Sequence, residues 1–198
     1  MEGITRAMVR ISGVSPLLMH SCQLVDASNP YTKKIKAITN KTAKKRTDTD
    51  ALDLIELEFN GSLYFDDGIG PFLPGTNLEG AIRDGARTER KGKDIESGFV
   101  VEQDMIPLQY DGPRTREGLY ENKRFVDFRV ISLPNKSKLM RTRPRFDNWS
   151  AEFEIMCIDE LLSIKDVERF ISIAGRVKGL CDYRPKFGRF VVDDFVIV

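Results

Sequence analysis

Arginines stand at every second position of "MRTRPRF", at Arg141, Arg143 and Arg145. Side chains alternate along a strand, so these guanidiniums would share one face at intervals of about 6.5–7 Å. That interval is on the scale of successive backbone phosphates, and guanidinium stays charged at any ordinary pH. Lys136 and Lys138 continue the charge upstream. The chemistry on offer is the holding of a polyanion. A solvated edge strand that uses charge against aggregation fits the same pattern, and Pro144 suits an edge under both readings.

A second basic stretch, "GRVKGLCDYRPKFGR", mixes charge with glycine and aromatics. Gly175, Gly179 and Gly188 permit tight turns and close approach of backbone amides to a ligand. Arg176, Lys178, Arg184, Lys186 and Arg189 supply charge, while Tyr183 and Phe187 are candidates to stack on bases. A structural turn with packing aromatics is the alternative. The stretch follows a helix and precedes a strand, the reverse of what a dinucleotide glycine loop needs, and no GxxxxGK[ST] occurs. A third basic run holds seven cations and no acid between Lys33 and Arg46, among them Lys41, Lys44, Lys45 and Arg46. It is followed by five acids and no base between Thr47 and Phe59.

Catalytic candidates are few. His20 is the sole histidine, and with Cys22, Cys157 and Cys181 it makes a poor zinc set. Asp26, Asp66 and Asp67 are carboxylates able to hold magnesium against a phosphodiester, although acids beside Gly68 are ordinary in turns. No metal and no cofactor is expected; magnesium or manganese enters only if Asp26 serves a nuclease.

The elements that must position these groups follow from periodicity. The chain of 198 residues, 41% hydrophobic and 31% charged with net charge +1, suits one domain over 1–198. It carries a basic arm at 21–50 and a polar insertion at 106–123. Scattered cysteines, no signal-peptide pattern and no long apolar run suit a cytoplasmic protein. Loose alternation predicts a strand over 3–13, and "ALDLIELEFNGSLYF" predicts strands turning at Asn60-Gly61. "PFLPGTNLEGAIRDGAR" predicts a helix capped by Thr76 with Glu79 completing a capping box. Its inner face would be Leu78, Ala81, Ile82 and Gly85, and its outer face carries Arg83 and Arg87. Gly80 weakens such a helix by roughly 1 kcal/mol relative to alanine. Gly75 and Gly80 are therefore read, with the loop glycines, as positions of close backbone approach.

Further strands are expected near 99–105, 124–133, 138–146 and 151–158, the last two paired around Asn148. A helix over "SIKDVERFISIAG", capped by Ser163, leads through the loop to a closing strand in which Asp193-Asp194 cap a bulge. The order strand, helix, strands, strand, helix, strand is the α+β, ferredoxin-like pattern. One uncovered sheet face with basic loops is a common way to hold single-stranded RNA.

Three stretches resemble the RAMP superfamily, the repeat-associated RNA-binding proteins that include backbone subunits of CRISPR effector complexes. They are "VRISGVSPLLMH", "PFLPGTNLEGAIRDGAR" and "AGRVKGLCDYRPKFGRFVV", in the family's order. The resemblance implies an RRM-like palm with a thumb, the RNA backbone running over the first helix and the glycine-rich loop. Glu79 departs from the basic residue often found before the helix glycine, and "DYRPKF" departs from a purely glycine-rich run. The function expected is sequence-independent binding of single-stranded RNA, or single-stranded DNA, with head-to-tail self-assembly or partnership with CRISPR effector subunits. A metal-dependent endoribonuclease using Asp26 and a mimic that occupies a CRISPR complex are the alternatives. A stand-alone or virus-borne relative fits the short chain.

Overall fold

The computed structural model describes residues 3–132 and 138–198. Lys136 and the end of the strand expected to close at residue 133 lie outside them. In chain order the elements are β1 (Ile4–Gly13), β2 (Leu17–Leu18), α1 (Pro30–Thr39), α2 (Asp48–Ser62), β3 (Phe65–Asp66), β4 (Gly70–Pro74), α3 (Gly75–Ala86) and α4 (Gly92–Gly98). They continue as β5 (Phe99–Val101), β6 (Met105–Pro107), α5 (Arg116–Glu121), β7 (Val126–Ser132), β8 (Lys138–Phe146), β9 (Ser150–Ile158), α6 (Ile164–Ile173) and β10 (Phe190–Ile197). Where the sequence reading has one domain, the chain divides into two compact units. The first is Met1–Leu17, Asp66–Asp111 and Phe146–Val198, and the second is Leu18–Phe65 and Gly112–Arg145.

The first unit has the expected α+β architecture. Its sheet runs β10-β1-β9-β5 with antiparallel neighbours, α3 lying between β1 and β5 in sequence and α6 between β9 and β10. That is the ferredoxin-like order. Ala7, Val9 and Ile11 of β1 and Phe153 and Ile155 of β9 are fully buried on the helix-covered face. Burying each of the larger side chains contributes about 1.5–3 kcal/mol. Ile4 and Met8 share the opposite, less buried face with Arg6 and Arg10. Across that open face Arg10 sits in register with Glu152 and Asp194, and Arg6 pairs with Glu102 at 3.4 Å and Glu154 at 3.8 Å. The acids named there outnumber the two arginines, and no aromatic side chain of β1 or β9 faces outward to stack on a base. In β10 the register slips between the partners of Arg10 and Ile11, leaving Asp193 as the bulged residue, where it accepts a hydrogen bond from Ser12 Oγ. The bulge expected at Asp193-Asp194 is present.

The second unit corrects several expectations. "ALDLIELEFNGSLYF" belongs mostly to α2, not to a hairpin. Thr47 Oγ1 accepts from Asp50 N at 3.2 Å and Asp50 Oδ2 from Thr47 N at 3.0 Å, a reciprocal cap that starts the helix. Gly61 lies in the last turn of α2, where a Cβ would stand 2.6 Å from Leu24 Cδ2 and 3.2 Å from Tyr31 Cβ, so it sits in a close contact and not in a hairpin turn. The arm at 21–50 is folded: Asn29 caps α1 with Pro30 in its first turn, and α1 packs on α2. Lys41 Nζ meets Asp50 Oδ1 at 2.5 Å, joining the basic run to the acidic one within a single chain. The polar insertion at 106–123 contains part of β6 and α5, whose cap is Thr115. β8 pairs with β7, not with β9, and occupies the middle of the sheet β2-β8-β7. The edge position read from Pro144 is therefore wrong. Its carbonyl accepts from Met19 N at 3.0 Å.

Among the described residues no helix is long and apolar enough to cross a membrane.

Candidate functional site

Helix α3 begins at Gly75 directly after Pro74, with no side-chain cap. Thr76 is exposed, and Glu79 is drawn away to accept from Val101 N at 3.0 Å, so the expected capping box does not form. Leu78, Ala81, Ile82, Gly85 and Ala86 are buried as the helical spacing requires. A Cβ on Gly85 would lie 3.0 Å from both Phe170 O and Ala174 N, so this glycine lets α3 settle on the end of α6. Gly80 is different. A Cβ there would meet nothing within 4 Å. The fold gives no packing reason for a helix glycine at that position.

The segment after α6 passes through a π-helical turn at Ala174–Lys178 and closes upon itself. Leu180 N donates to Gly188 O at 2.9 Å, Gly188 N to Pro16 O at 2.8 Å, and Gly179 N to Ala174 O at 2.9 Å. Gly179 and Gly188 adopt φ +73° and +72°, which favours glycine. A Cβ on Gly75, Gly175, Gly179 or Gly188 would come within 2.1–2.6 Å of a backbone carbonyl oxygen of the chain itself. These four glycines thus approach their own protein, and the amides of Gly179 and Gly188 are already engaged. Phe187 is buried at 7% exposure, while Tyr183 is 42% exposed and meets its ring edge-on at 5.7 Å. Of the two stacking candidates, only Tyr183 presents its side chain at the surface.

Between α3 and this loop lies a cavity of about 550 Å³ whose lining includes Asp84, Lys178, Cys181, Tyr183 and Arg184. Asn77 Nδ2 donates to Cys181 Sγ at 3.6 Å, which ties the helix to the loop. Asn77, Gly80 and Asp84 recur at helical spacing, so Gly80 shares the helix face of Asp84, which lines the cavity. Burial pushes the Cys181 thiol up to about 12, against the hydrogen bond from Asn77 and the nearby Arg184, and keeps it from acting as a nucleophile.

The structure sorts the predicted cations by their neighbours. Arg141 Nη1 donates to Glu58 Oε1 at 2.6 Å, and the other oxygen of Glu58 accepts from Thr142 N at 2.9 Å. Arg143 is buried at 6% exposure, and Arg145 lies 3.7 Å from Asp127. The alternating arginines are thus committed to carboxylates and to burial inside the second unit. Arg83 pairs with Glu96 at 3.5 Å, Arg87 with Asp84 at 2.7 Å, and Arg46 donates to Thr39 O at 2.6 Å. Lys44 and Lys45 are exposed near the start of α2. By contrast Arg176, Lys178 and Arg184 make no ion pair among the described residues, and Lys186 lies 5.9 Å from the Phe187 ring centroid.

Asp26 accepts from Ser28 N at 2.7 Å and from Ser28 Oγ at 2.8 Å. Those bonds, the backbone one foremost, hold its carboxyl below the usual carboxylate range. His20 Nδ1 sits 3.1 Å from Ser62 Oγ. Asp66 Oδ1 accepts from the amides of Gly68 and Ile69 and closes a turn. Among the described residues no group of three histidine, cysteine or acidic side chains stands ready to hold a metal.

No family model matches the sequence, and no curated protein matches it. Solved structures do. A chain of the Type III-B Cmr-beta assembly bound to cognate target RNA superposes with TM-score 0.50 at 11% identity, covering 99% of this chain and 61% of that one. The likeness is one of fold. Cmr6 from Pyrococcus furiosus gives TM-score 0.41 at 11% identity, covering 97% of this chain and all of its own. The chain spans about three-fifths of the length of the Cmr-beta chain it matches. Asn77 and Asp84 had a signal in the sequence, the helical spacing around Gly80. Cys181 had none, because its place beside Asn77 spans 104 residues.

Proposed function

We propose that this protein binds single-stranded nucleic acid, RNA first, in the cavity between α3 and the loop after α6. The observation that carries this is the pair Lys178 and Arg184, without carboxylate partners among the described residues, lining an open cavity beside the helix whose Gly80 has no packing neighbour within 4 Å. Lys178 and Arg184 hold backbone phosphates, Tyr183 offers a ring face, and the bare backbone at Gly80 lets the strand approach the helix. Nothing in this set reads base edges, so binding is indifferent to sequence. The fold likeness to a chain of an assembly bound to target RNA supports RNA as the strand.

The test is fluorescence anisotropy with labelled single-stranded RNA, single-stranded DNA and duplex across a salt series, with particle size measured on the same samples. Engagement of Arg176, Lys178, Arg184, Lys186 and Arg189 predicts a log–log salt slope of about −3.5 for single strands. Tighter binding to duplex, or no binding at low salt, refutes the reading.

A further inference from the structure

We propose that Asp84 reads the ribose 2′-hydroxyl and makes the cavity select RNA over DNA. This rests on the binding reading above and adds to it a residue that chooses the sugar. Asp84 lines the same cavity as Lys178, Arg184 and a second carboxylate, Asp182, and is the one that α3 contributes. A carboxylate among phosphate-binding cations repels the very group they attract, and needs a compensating contact. Its Oδ1 accepts from Arg87 Nη1 at 2.7 Å, which fixes the group, while Oδ2 accepts no hydrogen bond among the described residues. An ionised carboxylate can only accept. A phosphodiester has no donor to give it. The donors on a nucleotide are the base N–H groups, exocyclic amines and the ring N–H of guanine, uracil and thymine, which vary from base to base, and the 2′-hydroxyl, which every RNA residue has and DNA lacks. For a site that ignores sequence, the hydroxyl is the donor that is always there.

The experiment compares oligouridylate, oligodeoxyuridylate and 2′-O-methyl oligouridylate of equal length, because the base with its one ring N–H is the same in all three and only the 2′ position differs. The parent protein should prefer the ribose strand by about tenfold over both others, the scale of one hydrogen bond to a charged group. Asp84→Ala should weaken ribose binding, strengthen deoxyribose binding and bring the ratio near one. Arg87→Ala should keep a ratio well above one. Thermal melts verify that both variants fold, which the exposed Arg87 and the partly exposed Asp84 side chains favour. An equal rise for both sugars in Asp84→Ala, an unchanged ratio, or loss of the ratio in Arg87→Ala alone overturns the proposal. Absence of binding by the parent to any strand refutes the binding reading itself, and this inference with it.

Discussion

Replacing Gly80 separates a glycine kept for a ligand from one kept for the fold. In an exposed helix interior, alanine stabilises by about 0.5–1 kcal/mol over glycine through helix propensity and the lost freedom of the unfolded chain. At position 80 that gain should appear in full, because the new Cβ meets nothing within 4 Å. For a chain of this size the melting temperature should rise by roughly 2–4 °C per kcal/mol. Gly80→Leu should hold most of the gain, since leucine is nearly as good a helix former as alanine. Gly85→Ala is the control. Its Cβ would stand 3.0 Å from two backbone atoms of the α6 terminus, which cannot rotate aside. Overpacking of that kind costs about 1–3 kcal/mol. Calorimetry and anisotropy on the same preparations decide the matter: Gly80→Leu should be more stable than the parent yet bind single-stranded RNA about tenfold or more weakly, a difference of about 1.4 kcal/mol or more. If Gly80→Ala melts earlier, the packing argument is wrong. If Gly80→Leu binds as the parent does, the glycine is not there for a strand.

The joint replacement of Lys178 and Arg184 by alanine should flatten the salt slope by about 1.4 and leave the melting temperature nearly unchanged. Arg141→Ala should do the opposite, with binding kept and about 1–3 kcal/mol of stability lost because Glu58, at 6% side-chain exposure, loses its charged donor. The hydrogen bond from Lys41, and after it that from Thr47 N, holds the Asp50 carboxyl below its ordinary value. Its contribution is therefore complete above the ordinary value of about 3.9 and is lost as pH falls through the lower folded value. Far-UV dichroism should stay flat down to about pH 4 and then decline, and Asp50→Ala should remove that part of the acid transition. Exposed Cys22 should be modified quickly by a thiol reagent at about pH 8, whereas Cys157 and Cys181, both pushed up chiefly by burial, should resist in the native state. Rapid labelling of Cys181 would contradict its raised pKa.

The ferredoxin-like order was legible because α3 and α6 carry a clear helical period and apolar strand segments bracket them at β1 and β10. The inner face of α3 and the Ser163 cap of α6 match the sequence reading position by position. Helix α2 was not legible as a helix, since "LDLIELEF" alternates apolar and acidic residues at a strand's period. The cap formed by Thr47 and Asp50, and the burial of Phe59 and Glu58, outweigh that alternation. Asn60-Gly61 misled for a related reason. A glycine in close contact with a neighbouring Leu24 looks the same in one dimension as a glycine required by a turn.

By itself the sequence determined the inventory: which segments are basic, which glycines interrupt a helix, and in what order strands and helices follow. Tertiary structure alone decided which of those cations remain available to a ligand. Arg141 and Glu58 are 83 residues apart, and Asn77 and Cys181 are 104 apart. An ion pair is made through space and not along the chain, so the same run of arginines reads as a binding track or as buried supports until its partners are in place. Gly80 and Gly85 divide on the same ground, because only the packed structure puts a neighbour beside one and open space beside the other.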